Sequence, residues 1–347
     1  CKNLYIQKIY KERNNATMKI IIYNIDGKHE ELAHEWSKKT GNEIKIVHDL
    51  LTPETVELAK GFDGVAVSQV VKVDNAVYPK LREFGIKQIA QMSAGVDMYD
   101  LDVASENDII VSNVASYSPE SIAEYTVMVG MALVRHLEQI RKNVKEHDFA
   151  WENQIRGKVI GQMKVAVIGT GRIGATTGRF FHGFGSSIVG YDVYPNEKLT
   201  SFLTYADSVE EAIKDADIVT LHMPATKETF HMFDAEMFSK MKSGAILLNM
   251  GRGAIVDTKA LLNALDSGQV AGAGIDTYEN EMPFVPKNLR GQKIDDPILE
   301  KLINHPKVIY TPHVAYFTDQ ALQAIVETAL EAVVDVVKTG DTDKRVN

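Results

Sequence analysis

The chain has 347 residues, 45% of them hydrophobic, and a formal net charge of −9 at pH 7. That length can bury two cores of ordinary size, while the acidic surface argues against nucleic acid and anionic membranes as partners. A single cysteine, Cys1, excludes an intramolecular disulfide and a cysteine-based zinc site. The lone cysteine suits a reducing cytoplasm, the expected compartment, and no metal is expected; no long uninterrupted apolar run marks a membrane span.

In chain order, "CKNLYIQKIYKERNNAT" has neither an initiator methionine nor the apolar core of a signal peptide. Residues 1–17 are read as a non-native or disordered extension ahead of Met18. From there to about Val114, β-rich runs ("KIIIYNI", "EIKIVHD", "GVAVSQ", "KQIAQM", "IIVSNV") alternate with amphipathic stretches such as "HEELAHEWSKKTG" and "TPETVELAKG". That alternation predicts a parallel α/β sheet. Next, Ser118 is a suitable N-cap and Pro119 a suitable first helical residue. Helical spacing of apolar positions through Leu137 predicts one long helix able to link two domains. A second alternation, "MKVAVIGTGRIG" to "KVIYTPHVA", predicts six strands in a second doubly wound sheet, and Thr318 to Lys338 predicts an amphipathic helix that returns to the first domain.

The second alternation opens on a dinucleotide fingerprint. Gly169, Gly171 and Gly174 stand in G-x-G-x-x-G order, after a strand, at the start of a helix, with Asp192 ending the next strand. In that frame the pattern is specific. Gly169 permits the tight turn, Gly171 lets backbone approach a pyrophosphate, and Gly174 lets helix and strand pack. The helix N-terminus favours phosphate. Asp192 would accept hydrogen bonds from ribose hydroxyls and repel a 2′-phosphate, which favours NAD over NADP. A glycine turn beside a surface aspartate is the bland alternative.

Ligands in open α/β sheets lie beyond the carboxyl ends of the strands. The later strands deliver Arg252 (in "NMGRGAIVDT"), then Asp276, Glu279 and Glu281 (in "GIDTYENE"), then His313 (in "TPH"). A guanidinium can clamp a carboxylate with paired hydrogen bonds. An imidazole can pass a proton to a carbonyl oxygen, and a carboxylate can orient that imidazole. Each residue has a plainer reading: Arg252 could bind a carbonyl or a surface acid, His313 could be a loop histidine, Asp276 could cap a turn. Glu279 is read as solvated, His222 as structural or cofactor-contacting, and the remaining histidines as surface groups. Agreement of three strand ends favours reduction of a 2-oxo acid with NADH.

With these motifs, and with "SNVASYSPESIAEYT" and "TPHVAYFTDQAL", the chain resembles the D-2-hydroxyacid dehydrogenase family over nearly everything from Met18 onward, most closely the branch acting on lactate and 2-hydroxyisocaproate. The resemblance implies a flavodoxin-like substrate domain (18–117 and 318–347) and a Rossmann NAD-binding domain (118–317), linked by long helices. It implies roles for Arg252 as carboxylate clamp, His313 as general acid/base and Glu281 as its partner. Gly169, Gly171, Arg172, Ile173, Gly174, Asp192 and Asp276 would serve the cofactor, Asp276 on its nicotinamide side. Ala94 and Gly95, in the loop Ser93 to Asp97, and Tyr117, Arg252 and Tyr316 would meet the substrate. The expected reaction is reversible reduction of pyruvate to D-lactate in a homodimer formed through the cofactor domains, with cleft closure before hydride transfer. Larger 2-oxo acids are the alternative substrates, and an NAD-binding regulatory protein is the alternative class. Relatives in this branch often carry arginine where this chain has Met92, a change expected to weaken closure or substrate binding.

Overall fold

The computed structural model describes residues 17–347, so the extension expected at residues 1–17 lies, Thr17 apart, outside the described residues. The chain divides into two compact units. One runs to Ser118 and resumes at Thr318–Asn347; the other is Pro119–Phe317.

In the first unit β1 (Lys19–Tyr23), α1 (Gly27–Thr40), β2 (Glu43–Val47), β3 (Gly64–Val67), α2 (Val77–Glu83), β4 (Gln88–Gln91), α3 (Leu101–Glu106) and β5 (Ile110–Ser112) follow one another. The strands pair in parallel in the order β2-β1-β3-β4-β5, with Ile20 opposite Ile44 on one side and Gly64 on the other. Ile20, Ile21, Ile22 and Tyr23 are all inaccessible. Such continuous burial, rather than alternation, is what coverage of both faces requires. The last helix, Asp319–Thr339, is capped by the Thr318 hydroxyl, which accepts the Ala321 amide. It lies so close over β3 that a Cβ on Gly64 would overlap Val333. The stretch "TPETVELAKG" forms only a short 3-10 turn, Val56–Ala59. The Thr55 hydroxyl donates to the Leu50 carbonyl at 2.6 Å and accepts the Thr52 amide at 2.9 Å, and such side-chain bonds compete with a helix. Beyond β5, Val346 donates its amide to Val111 at 2.9 Å and Arg345 bridges Ser112, which covers an edge strand.

The second unit carries α4 (Pro119–Val134), α5 (Leu137–Lys145), β6 (Lys164–Ile168), α6 (Arg172–Gly183), β7 (Ser187–Tyr191), β8 (Leu203–Tyr205), α7 (Val209–Ile213), β9 (Ile218–Leu221), α8 (Ala235–Lys240), β10 (Ala245–Asn249), α9 (Thr258–Ser267), β11 (Val270–Ile275), α10 (Pro297–Asn304) and β12 (Val308–Tyr310). Its sheet is parallel in the order β12-β11-β10-β9-β6-β7-β8. The winding reverses between β6 and β9, where doubly wound sheets open a crevice. Both units are therefore of the expected α/β class, with two corrections. The sheet has seven strands rather than six, because the three-residue edge strand β8 is too short to register as a pattern. The single long linking helix is two helices: His136 sits in the left-handed region at φ 52°, a conformation that breaks helical hydrogen bonding and that histidine adopts more readily than most residues. Among the described residues no helix is long and apolar enough to cross a membrane.

Candidate active site

The fingerprint turn leaves β6 and enters α6. Gly169 has φ +89°, and a Cβ there would lie 2.8 Å from the His222 carbonyl. A Cβ on Gly174 would overlap the Gly169 carbonyl, whereas one on Gly171 would meet nothing within 4 Å. Two of the glycines thus serve the fold. The third faces open space at a helix N-terminus, the cradle a diphosphate needs. Arg172 is exposed and Ile173 half-buried in the first turn of α6.

Asp192 follows β7. One carboxylate oxygen accepts the Thr170 amide at 2.6 Å and the Thr170 hydroxyl at 3.2 Å; the other accepts the Tyr194 amide at 2.9 Å. Because a carboxylate can only accept, the Thr170 proton points at Asp192. The 2.8 Å contact between Thr170 and Tyr205 hydroxyls must then be donated by Tyr205, whose oxygen in turn accepts the Asn196 amide at 3.0 Å. Asp192 is held ready at the end of this chain. The open cradle, the helix N-terminus and an oriented acceptor together fit a dinucleotide with a free ribose diol.

At the carboxyl ends of the neighbouring strands β10, β11 and β12 stand Arg252, Asp276 and His313. Asn249 fixes the Arg252 turn, donating its amide nitrogen to the Arg252 carbonyl at 3.0 Å and accepting the Gly251 amide at 3.1 Å. The guanidinium donates to the Gly251 carbonyl at 3.0 Å. Gly253 is required for a local reason, since a Cβ would overlap the backbone of Tyr278 and Glu279. The flanking glycine therefore serves contact between two loops.

His313 has φ +56°, strained for a residue with a side chain. Its Nδ1 lies 2.7 Å from the Glu281 carboxylate. The hydrogen must sit on Nδ1, which leaves Nε2 to exchange protons. The other Glu281 oxygen accepts the Tyr278 amide at 3.0 Å. Asp276 is wholly buried and surrounds the histidine: its carbonyl accepts the His313 amide at 2.7 Å. Its carboxylate accepts the Thr311 hydroxyl at 2.5 Å and the amides of Val314 and Ala315 at 3.0 and 2.9 Å. The Tyr316 ring meets the His313 ring edge-on, centroids 6.5 Å apart. Burial, reinforced by the Glu281 and Asp276 charges, pushes the Tyr310 phenol up to about 12. Burial also raises Tyr316.

Ala94, Gly95 and Tyr117 belong to the other unit. There the Ala94 carbonyl accepts the Asn113 side chain at 2.6 Å and the Gly95 carbonyl accepts the Ser93 hydroxyl at 2.9 Å. Buried Gln91 donates to Ser93 at 2.9 Å and accepts the Tyr99 hydroxyl at 2.5 Å. Met92 is buried, with its amide bonded to the Val67 carbonyl.

The sequence reading missed Thr170, Tyr205, Asn249 and Thr311. Only Asn249 and Thr311 gave a signal, as polar residues closing apolar strands. The reading of Glu279 as solvated is corrected. Its side chain is 18% exposed, bonded to His231 at 2.7 Å and to the Thr258 amide at 3.1 Å, so His231 is no free surface histidine either. His305, another histidine read as a surface group, is buried as well. His222 donates its backbone amide to β6, and its ring, bonded to Thr220 at 2.9 Å, is pushed down to about 4 by burial.

Residues 127–315 match the family model described as D-isomer specific 2-hydroxyacid dehydrogenase, NAD binding domain. A D-lactate dehydrogenase of Streptococcus pyogenes serotype M1 is 56% identical over 330 residues, covering 95% of this chain and all of that one. Among solved structures, a D-lactate dehydrogenase from Treponema pallidum superposes with TM-score 0.89 at 35% identity over 95% of this chain and 100% of its own. A D-2-hydroxyisocaproate dehydrogenase superposes with TM-score 0.90 at 34% identity over 95% of this chain and 99% of its own.

Proposed function

The chain belongs to the D-isomer-specific 2-hydroxyacid dehydrogenase family, and on that premise we propose that it is a D-lactate dehydrogenase, reversibly reducing pyruvate to D-lactate with NADH. It is an NAD-dependent oxidoreductase. Bound NADH supplies the hydride. The chain's residues hold the oxo acid and move the proton.

In this reading Arg252 clamps the substrate carboxylate with its planar fork and polarises the adjacent carbonyl. His313 donates the Nε2 proton to the carbonyl oxygen as that oxygen gains negative charge, and Glu281 steadies the imidazolium before transfer. Asp276 keeps the His313 loop rigid, a positioning role; its three donors all come from that loop. Gly171, with Arg172 and Ile173 in the first turn of α6, holds the diphosphate, Gly169 and Gly174 let the chain form that cradle, and Asp192 holds the ribose. In the first unit the backbone at Ala94 and Gly95, with Tyr117, is read as substrate-binding; in the second, Tyr316 beside His313 has that role, and the two units serve as substrate and cofactor domains. The observation that carries the reading is the 2.7 Å His313–Glu281 pair set beside an NAD-binding fingerprint. A formate-type oxidation requires no such proton donor.

A homodimer formed through the second unit is supported by exposed apolar side chains there: Leu137, Phe149, Trp151 and Val159. A cytoplasmic setting fits a chain with one cysteine.

Initial rates of NADH oxidation with 2-oxo acids from pyruvate to phenylpyruvate, with product chirality assigned, test the proposal. A pyruvate optimum giving D-lactate supports it. A branched or aromatic optimum moves the specificity to that of a 2-hydroxyisocaproate enzyme, and NADH binding without turnover removes the catalytic reading.

A further inference from the structure

A second histidine–carboxylate pair lies in the same unit, outside the proton-transfer pair. His231 Nε2 donates to Glu279 at 2.7 Å, with side chains 31% and 18% exposed. The Phe230 ring stacks on the imidazole, centroids 4.0 Å apart and 14° from parallel, and screens it from water on that face. We infer that this pair is a positioning device for substrate binding, locking the Arg252 turn to the loop that carries Glu281.

Three segments meet at the pair. The His231 amide donates to the Ala254 carbonyl at 2.8 Å, and Phe233 donates to Ile255 at 3.0 Å, so the strip 231–233 runs along the turn that follows Arg252. The His231 side chain reaches the other way, to Glu279. The second oxygen of Glu279 accepts the Thr258 amide at 3.1 Å, at the start of α9. Glu279 follows Tyr278, whose amide holds the Glu281 oxygen that His313 does not use. Gly253 lies against the backbone of Tyr278 and Glu279 with no room for a Cβ. A shift of Glu279 therefore moves the Arg252 turn and the Glu281 loop relative to each other.

Two features mark the pair as more than filler. His231 is held in the left-handed region at φ +47°, and its ring nevertheless makes a 2.7 Å contact with Glu279. Both Glu279 oxygens are used, one on each of two segments, so the carboxylate acts as a two-ended tie. A displacement near 1 Å between a binding group and a proton donor is enough to cost much of the rate.

The inference rests on reading Arg252 as the carboxylate clamp, and its test separates the two. His231→Asn tolerates the left-handed backbone but is too short to reach Glu279; His231→Gln keeps the reach and a donor. The expected result for His231→Asn is a pyruvate KM raised about tenfold, equivalent to one lost charge-assisted hydrogen bond. The NADH Kd, read by protein fluorescence, should stay within about twofold, and His231→Gln should recover most of the KM. Glu279→Gln supplies an independent reading should His231→Asn fold poorly, and the double variant should be no worse than the more damaging single one, because the residues act as one unit. A lowered Tm with unchanged KM and kcat in both His231→Asn and Glu279→Gln overturns the inference and leaves a structural pair. Equal weakening of NADH and pyruvate overturns it too. Absence of turnover in the unaltered enzyme is a different result: it defeats the dehydrogenase reading itself and this inference with it.

Discussion

Asp276 accepts the amide of Ala315 at 2.9 Å, although the two lie on different strand-end loops. Together with bonds from Thr311 and Val314, that contact folds the loop after β12 around His313. Asp276→Asn keeps the volume but loses one acceptor, so a buried amide or hydroxyl is left unpaired at a cost of about 1–3 kcal/mol. Chemical denaturation should register the loss, and kcat should fall with it because the His313 ring is no longer pinned. An unchanged kcat would show that the loop keeps its geometry without the carboxylate.

Glu281→Gln should lower kcat by about 100-fold, with NADH affinity preserved. The amide can present its NH₂ to Nδ1, which would move the ring hydrogen to Nε2 in the neutral form and weaken the histidine's hold on a second proton. Single-turnover measurement of NADH oxidation with pyruvate checks this. A burst at the unaltered rate would assign the defect to product release.

The fingerprint glycines separate folding from binding. Gly171→Ala adds a methyl that meets no protein atom, so stability should change by no more than about 0.5 kcal/mol, while NADH affinity drops at least about tenfold. Gly174→Ala drives its methyl into the Gly169 carbonyl and should destabilise the unit before any ligand is added. Thermal melts with and without NADH distinguish the two. Equal effects from both would mean that Gly171 does not face the diphosphate.

Tyr205→Phe removes the donor that fixes the Thr170 hydroxyl, two bonds from Asp192. NADH affinity should weaken by about threefold to tenfold, and the preference for NADH over NADPH should narrow, because a less restrained Asp192 repels a 2′-phosphate less. Titration calorimetry with both cofactors reads this directly.

His222 supplies a pH dependence of stability. Burial lowers its folded pKa from 6.5 to about 4, so between these values the unfolded chain binds the extra proton and the folded one does not. Stability from this group is complete above pH 6.5, falls as pH drops toward 4, and levels off below that. The shift corresponds to about 3 kcal/mol at most, less in practice because the residue is only half-buried. Urea midpoints at pH 7.5, 5.5 and 4.5 should converge for the parent and His222→Gln as the pH falls.

Features written as local pattern were legible in the sequence. The apolar runs of β1 and β6, the spacing of Gly169, Gly171 and Gly174, and the polar residues closing β10, β11 and β12 all depend on neighbours within a few positions. Features set by distant partners were not. The Tyr205 hydroxyl matters because Thr170, far away in sequence, needs a donor. Glu279 and His231 look like ordinary loop residues until the chain brings two loops together. The break at His136 escaped notice because apolar spacing continues across it; a single residue's φ carries no periodic trace. Gly253 shows a subtler limit. In the sequence it is only one of two glycines flanking Arg252; what fixes it is the Tyr278 backbone, a partner 25 positions away.

The close packing of Gly64 beneath Val333 bears on how the protein is made. The helix that covers β3 leaves the ribosome after the whole second unit, roughly 200 residues later, or on the order of 10–40 s at typical elongation rates. During that interval the sheet of the first unit exists without the helix that covers it, while the second unit, contiguous in sequence from Pro119 to Phe317, can complete itself. The nascent chain is thus expected to acquire its nucleotide-binding half first and to present an uncovered apolar sheet to chaperones in the meantime.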